Sequence, residues 1–169
     1  MTKPEAATVN KVLVMGHSNH GKSTLISAFD RYMGYHSASP NFELKEYPKD
    51  SNSADSVING TLAGAILVCD IATGPEEQTR EHLKLCQNAG VPIIAVLLNK
   101  LDMVEDHELR EQVEMEAVAI LEEFDYSSKT PMILGSALNA GDSQDGDEWG
   151  SALITKLYGE IKQFLASQK

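Results

Sequence analysis

The chain has 169 residues, enough for about one domain, and its 42% hydrophobic content is that of a globular protein. Its 14 basic against 25 acidic residues leave a net charge of -11. A surface of that sign repels phosphate backbones and anionic lipid, which disfavours general nucleic-acid and membrane binding. A small enclosed phosphate site remains possible. Cys69 and Cys86 form no CxxC pair, so reduced thiols are the default. Residues 1–10 are polar, lack the apolar core of a secretory signal and read as a flexible lead-in. The longest apolar run, Leu62 to Ala72, is too short to span a bilayer and carries Asp70. These features together predict a cytoplasmic protein whose single domain runs over 11–169.

In chain order, Val12–Met15 is a short apolar run ending at Gly16, read as a buried strand. After a glycine-containing loop, Leu25, Ile26, Phe29 and Met33 fall at helical spacing within Ser23–Met33. Tyr35–Asn41 reads as loop. Phe42–Tyr47 alternates apolar and charged residues, a strand ended by Pro48; its place in the sheet is the least constrained of the set. Lys49–Asn59, rich in Ser, Asn and Asp, supports at most a short helix. Ala65–Cys69 is a second buried strand. Thr73-Gly-Pro-Glu76 resembles a capping box opening a helix to Ala89, with Gly90 closing it. Pro92–Leu98 is a third buried strand. Asp106–Phe124 is amphipathic, with Leu109, Val113, Ala117, Ile120 and Phe124 on one face and mostly Glu on the other, a face that reads as solvated. Met132–Leu134 is a last short strand, and Asp147–Ala166 a closing helix with Trp149, Leu153, Leu157, Ile161 and Phe164 inward. Strands alternating with helices, and strands that are continuous apolar runs, predict a three-layer α/β domain with a mostly parallel sheet covered on both faces.

Gly16-His-Ser-Asn-His-Gly21-Lys22-Ser23 matches the pattern G-x-x-x-x-G-K-S/T between a strand and a helix. Gly21 allows the curled backbone whose N–H groups face phosphate oxygens. Lys22 brings a charge for the β- and γ-phosphates, and the Ser23 hydroxyl is a hard oxygen suited to Mg²⁺. Asn99-Lys100-Leu-Asp102 follows the third buried strand. The Asp102 carboxylate can accept from both guanine N1–H and N2–H₂; adenine would leave it desolvated and unpaired, which argues against an ATP-using enzyme. Asn99 can brace neighbouring loops, and the Lys100 stem can lie over the base. Ser136-Ala137-Leu138 follows the last strand, where the Ala137 N–H can meet guanine O6.

Together these residues resemble the GTP-binding domain of the elongation factor Tu-like translational GTPases. The resemblance rests on GHSNHGKSTL, on Gly74-Pro75 with Gln78 to His82, on Leu98 to Val104, on Val113 to Glu116, and on Gly135 to Leu138 with Asp147 to Trp149. It implies a P-loop fold, binding of GTP or GDP with Mg²⁺, and a phosphate loop of Asn19, His20, Gly21, Lys22, Ser23 and Thr24. It also makes Asn99, Lys100 and Asp102 the guanine-specificity residues.

Departures from the family set further expectations. The β-barrel domains that help relatives hold aminoacyl-tRNA have no counterpart here, so tRNA delivery is not expected. The interval from Lys22 to Glu46 is half or less of the family's, and no threonine lies between Thr24 and Thr61 to serve as the switch ligand of Mg²⁺. The family's Asp-Cys-Pro-Gly-His aligns with Glu46-Tyr-Pro-Lys49-Asp50. Glu46 can still reach a Mg²⁺-bound water; Lys49 is a candidate compensating charge; Asp50 is a poor substitute for a water-positioning histidine. Phosphoryl transfer depends on positioning and charge neutralisation, so hydrolysis should be slow. The alternative is a hydrolysis-dead guanine-nucleotide-binding module that docks on an unidentified protein. With an edge strand lost, the remaining five should run parallel in the order 2-1-3-4-5.

His17 and His20, three apart, could form a metal pair but read first as residues flanking phosphate. His36, His82 and His107 read as surface histidines. The Asp142–Glu148 cluster fails the EF-hand spacing.

Overall fold

A computed structural model describes residues 9–17, 20–35, 41–47, 62–142 and 151–168. The expected helix in Lys49–Asn59 and the start of the closing helix, with Trp149, lie outside them. So do Asn19, Lys49 and Asp50.

The elements are β1 (Asn10–Gly16), α1 (Lys22–Tyr35), β2 (Phe42–Glu46), β3 (Leu62–Asp70), α2 (Glu77–Ala89), β4 (Ile93–Asn99), a single 3₁₀ turn (Leu101–Met103), α3 (His107–Glu123), β5 (Met132–Leu134), α4 (Ala137–Asp142) and α5 (Ser151–Ser167). The five strands form one sheet in the order β2-β1-β3-β4-β5, every pair parallel. β2 keeps a full register beside β1, from Asn10 opposite Phe42 to Val14 opposite Glu46.

The apolar runs are continuous because side chains alternate between two buried faces. Leu13, Met15, Leu67, Cys69, Val96 and Leu98 point to one face and pack against α2 and α3. Val12, Val14, Ile66, Val68, Ala95 and Leu97 point to the other, against α1 and α5. Polar substitution at any of these twelve sites would enter a closed core. No helix among the described residues is long and apolar enough to cross a membrane.

Helix ends follow local chemistry, with one correction. Asp106 caps α3 by accepting from the N–H groups of Glu108 (2.9 Å) and Leu109 (3.3 Å). Gly90 closes α2 in the left-handed conformation, φ 70°. The box that opens α2 uses Glu76 and Thr79, not Thr73 and Glu76. Gly74 has φ 73° and its N–H bonds to the Asp70 carbonyl at 2.7 Å, so Thr73 and Gly74 make a turn after β3 and the helix starts later. Helix α4 was not anticipated. Its N-terminal signal was Ser136, whose Oγ accepts from the Asn139 N–H at 3.2 Å.

Strand order reverses between β1 and β3, where α1 leaves one face of the sheet and α2 the other. In open parallel sheets this creates a crevice at the carboxyl ends of the strands. Gly16, Glu46, Asp70, Asn99 and Leu134 are the final strand residues there.

Candidate functional site

The phosphate loop leaves β1 at Gly16 (φ 145°), where a Cβ would sit 2.1 Å from the Val68 carbonyl oxygen. At Gly21 (φ 92°) a Cβ would meet the Asn99 side-chain nitrogen at 2.3 Å. Both glycines are therefore required by contacts across the sheet as well as by their own dihedrals. Lys22 opens α1 and is only 3% exposed. Its ammonium donates to the Gly16 carbonyl at 2.8 Å, so the loop curls around its own cation. Ser23 and Thr24 follow in the first turn, both exposed.

Asn99 joins three segments. Its Nδ2 donates to the His20 carbonyl (2.8 Å), and its Oδ1 accepts the Ala137 N–H (2.9 Å). The amide is 3% exposed and so locks the phosphate loop, the end of β4 and the start of α4 into one edge. This is the bracing expected of it. The Ala137 N–H is thus engaged by Asn99 rather than turned outward, and O6 of a purine would have to share it. Ser136 is fully buried under α4, while Leu138 is 60% exposed.

Lys100 adopts φ 66°, a left-handed conformation that turns the chain out of β4. Its ammonium pairs with Asp70 Oδ2 at 2.9 Å. The other carboxylate oxygen, Oδ1, accepts the Ala72 N–H at 2.8 Å. The stem reaches across the crevice edge with its head anchored. Asp102 sits in the 3₁₀ turn with an exposed carboxylate. Asp70 was not singled out as a site residue by sequence reasoning. A carboxylate ending a fully buried parallel strand was the available signal.

At the β2 edge, Ser23 Oγ donates to Glu46 Oε2 at 2.8 Å. Two hard oxygens from different elements therefore meet beside the phosphate loop, a donor set that fits Mg²⁺. Register explains the meeting: Glu46 lies opposite Val14, two residues before the loop begins.

Beyond the loop stands a polar bracket that sequence did not assemble. Glu76 places one oxygen 3.2 Å from His20 Nε2 and the other 3.2 Å from His17 Nε2. The Thr73 hydroxyl lies 3.4 Å from the same His20 nitrogen. Burial pulls His20 below the usual imidazole pKa, and the His20 hydrogen bond holds Glu76 below the usual carboxylate range. His82, expected at the surface, is only 4% exposed. It faces inward from α2 and packs on Tyr47 at 4.3 Å between ring centroids. Burial and the nearby Lys22 charge lower its pKa to about 4. It is itself polar and follows Arg80 and Glu81, which disguised an inward position. His107 is exposed, as expected, and His36 lies outside the described residues.

The profile of the elongation factor Tu GTP binding domain matches residues 54–166. That is well over half of the chain, and the chain belongs to this family. The matched segment contains Asn99 to Asp102 and Ser136 to Leu138; the phosphate loop precedes it, and its assignment rests on the motif and the geometry above. The family is one of GTP-binding domains, in agreement with the all-parallel α/β architecture.

Proposed function

We propose that this member of the family binds guanine nucleotides along the carboxyl edge of its sheet and hydrolyses GTP slowly. The observation that carries the reading is the double bond of Asn99 to His20 and Ala137. One buried amide sets the distance between the loop suited to a polyphosphate and the loops suited to a purine.

Each residue has a defined task. Lys22 exchanges its Gly16 carbonyl for phosphate oxygens, gaining charge-assisted bonds. Main-chain N–H groups of Gly21 to Thr24, at the entry to α1, line the anion path. Asp102 accepts the two adjacent donors of guanine, and the Lys100 stem covers the ring. Bound Mg²⁺ supplies charge neutralisation on the β- and γ-phosphates. Ser23 would hold the ion directly and Glu46 through a water.

Hydrolysis additionally needs an oriented water. The positions aligned with that task carry Lys49 and Asp50, a lysine where relatives place a close backbone N–H and a carboxylate where they place histidine. A carboxylate beside a developing anion adds repulsion, and this supports a low rate.

Single-turnover phosphate release from purified protein and GTP tests the reading. Slow release above a Lys22→Ala control is expected. Release equal to that control would replace the enzyme with a nucleotide-reading interaction module. Absence of GTP binding in wild-type protein would remove both.

A further inference from the structure

We propose that His17, His20 and Glu76 form a site for a divalent transition ion, zinc foremost, that ties the phosphate loop to the start of α2. The three groups supply two imidazole nitrogens and a carboxylate, all within 4.8 Å of one another. They come from segments far apart in sequence, so the grouping is a product of the fold. Both histidines present the same nitrogen, Nε2, to the same carboxylate, and each takes a different oxygen at 3.2 Å.

Zinc binds nitrogen at about 2.0–2.1 Å and carboxylate oxygen at about 2.0–2.2 Å, which in a tetrahedron separates ligand atoms by roughly 3.3–3.5 Å. The two nitrogen–oxygen separations are already close to this and all the ligand atoms lie within 4.8 Å of one another, so an ion would enter with side-chain adjustments alone. The rings are tilted by 43° with centroids 5.0 Å apart, leaving neither stacked on the other.

The ligands are held from behind. The His20 carbonyl is fixed by Asn99, and the ring is 2% exposed. Glu76 is the cap residue of α2, and its N–H donates to Thr79 Oγ1 at 3.2 Å. His17 and Glu76 are partly exposed, which gives an ion a path from solvent. Two imidazoles with one carboxylate favour zinc or cobalt over magnesium, whose preference is for oxygen alone. The site is therefore chemically distinct from the Ser23–Glu46 pair. Three protein ligands leave at least one coordination position for water.

The test uses the full chain without nucleotide, in excess Mg²⁺, so its outcome does not depend on GTP recognition. Titration with Zn²⁺ followed by calorimetry should show one saturable site. Co²⁺ should give the visible absorption of a tetrahedral nitrogen–oxygen site, displaced by Zn²⁺. Glu76→Gln and His17→Ala should each weaken binding by at least about tenfold, while His107→Ala leaves it unchanged. Ring resonances of His17 and His20 in the wild-type chain should shift on Zn²⁺ addition, which remains decisive if a variant misfolds. Absence of saturable Zn²⁺ binding overturns the proposal. So does equal affinity in all three variants, or unmoved His17 and His20 resonances.

Discussion

The two ends of the crevice are built differently. On the side of β1, β3, β4 and β5, side chains are anchored to main-chain groups, Lys22 to Gly16, Asn99 to His20 and Ala137, the Asp70 carboxylate to Ala72, and a Lys100–Asp70 ion pair joins two strand ends. On the β2 side, among the described residues, the Tyr47 N–H donates to the Val14 carbonyl at 2.8 Å and the exposed Ser23 hydroxyl donates to Glu46. Holding a nucleotide needs fixed donors and a shaped purine edge, the role the proposed function gives to the first region. Turning one over needs a positioned water, and the residues aligned with that task, Lys49 and Asp50, follow β2 in sequence. The proposed function assigns binding and slow hydrolysis to different parts of the same edge.

The most severe way to break that separation is to remove the cation of the well-built side. Lys22→Ala should cost GTP affinity at least about a hundredfold, because a charge-assisted contact to a polyphosphate is lost from a buried position. Isothermal titration against GTP and GDP checks it; a loss under fivefold would mean the loop is not the phosphate site. Asn99→Ala follows. It strands the buried His20 carbonyl and the Ala137 N–H together, each worth about 1–3 kcal/mol, so chemical denaturation should show a loss of about 3 kcal/mol even without nucleotide. Unchanged stability would show that the loops hold their spacing without the amide.

Most of the well-built side was legible from the sequence because its constraints are local or periodic. Gly16, Gly21 and Lys22 have fixed spacing between a strand and a helix, and the all-apolar runs of β1, β3 and β4 announce two covered faces. The sheet order follows from the short interval before Phe42, which leaves no chain for a further edge strand. What was not legible depends on contacts between distant segments. Asp70 reads as the polar end of an apolar run until Lys100 arrives, Glu76 as a helix-start residue until two histidines face it, and His82 as a surface residue until Tyr47 covers it. Helix α4 was hidden by its length, since six residues are too few for a periodic pattern.

Specificity for the base can be sharpened without touching the phosphate grip. Asp102→Asn exchanges an acceptor pair for a mixed donor and acceptor. GTP affinity should fall by about 2 kcal/mol, and xanthosine nucleotides, which present a carbonyl at C2, should gain relative to GTP. Competition titration with both nucleotides reads the ratio directly. An unchanged ratio would remove the assignment of guanine to this edge.

The contact between the two regions can be probed by pH. His82 lies on α2, packs against Tyr47, the residue after β2, and has a folded pKa of about 4 against 6.5 for the exposed group. The unfolded chain therefore binds the proton first. Stability from the neutral ring is fully present above pH 6.5 and is lost as pH falls towards 4, by about 2 kcal/mol. The lowered pKa of His20 acts in the same direction. Urea midpoints should fall between pH 7 and pH 4.5, and His82→Phe should flatten the part of the slope due to this ring. A profile of equal steepness in that variant would place the titration elsewhere.

The smallest effect belongs to the sparse side, and it tests the comparison itself. Glu46→Gln keeps the reach and a hydrogen-bonding oxygen towards Ser23 but removes the charge that would hold a Mg²⁺-bound water. If β2 contributes to binding only through that water, GTP affinity in Mg²⁺ should fall by no more than about tenfold, about 1.4 kcal/mol, and affinity in chelator should not move. A loss as large as that of Lys22→Ala would mean that β2 shares the main grip and that the two ends of the crevice are one unit. An effect that persists in chelator would mean that Glu46 acts by holding Ser23 and the first turn of α1, through the 2.8 Å bond already present, with the ion playing no part.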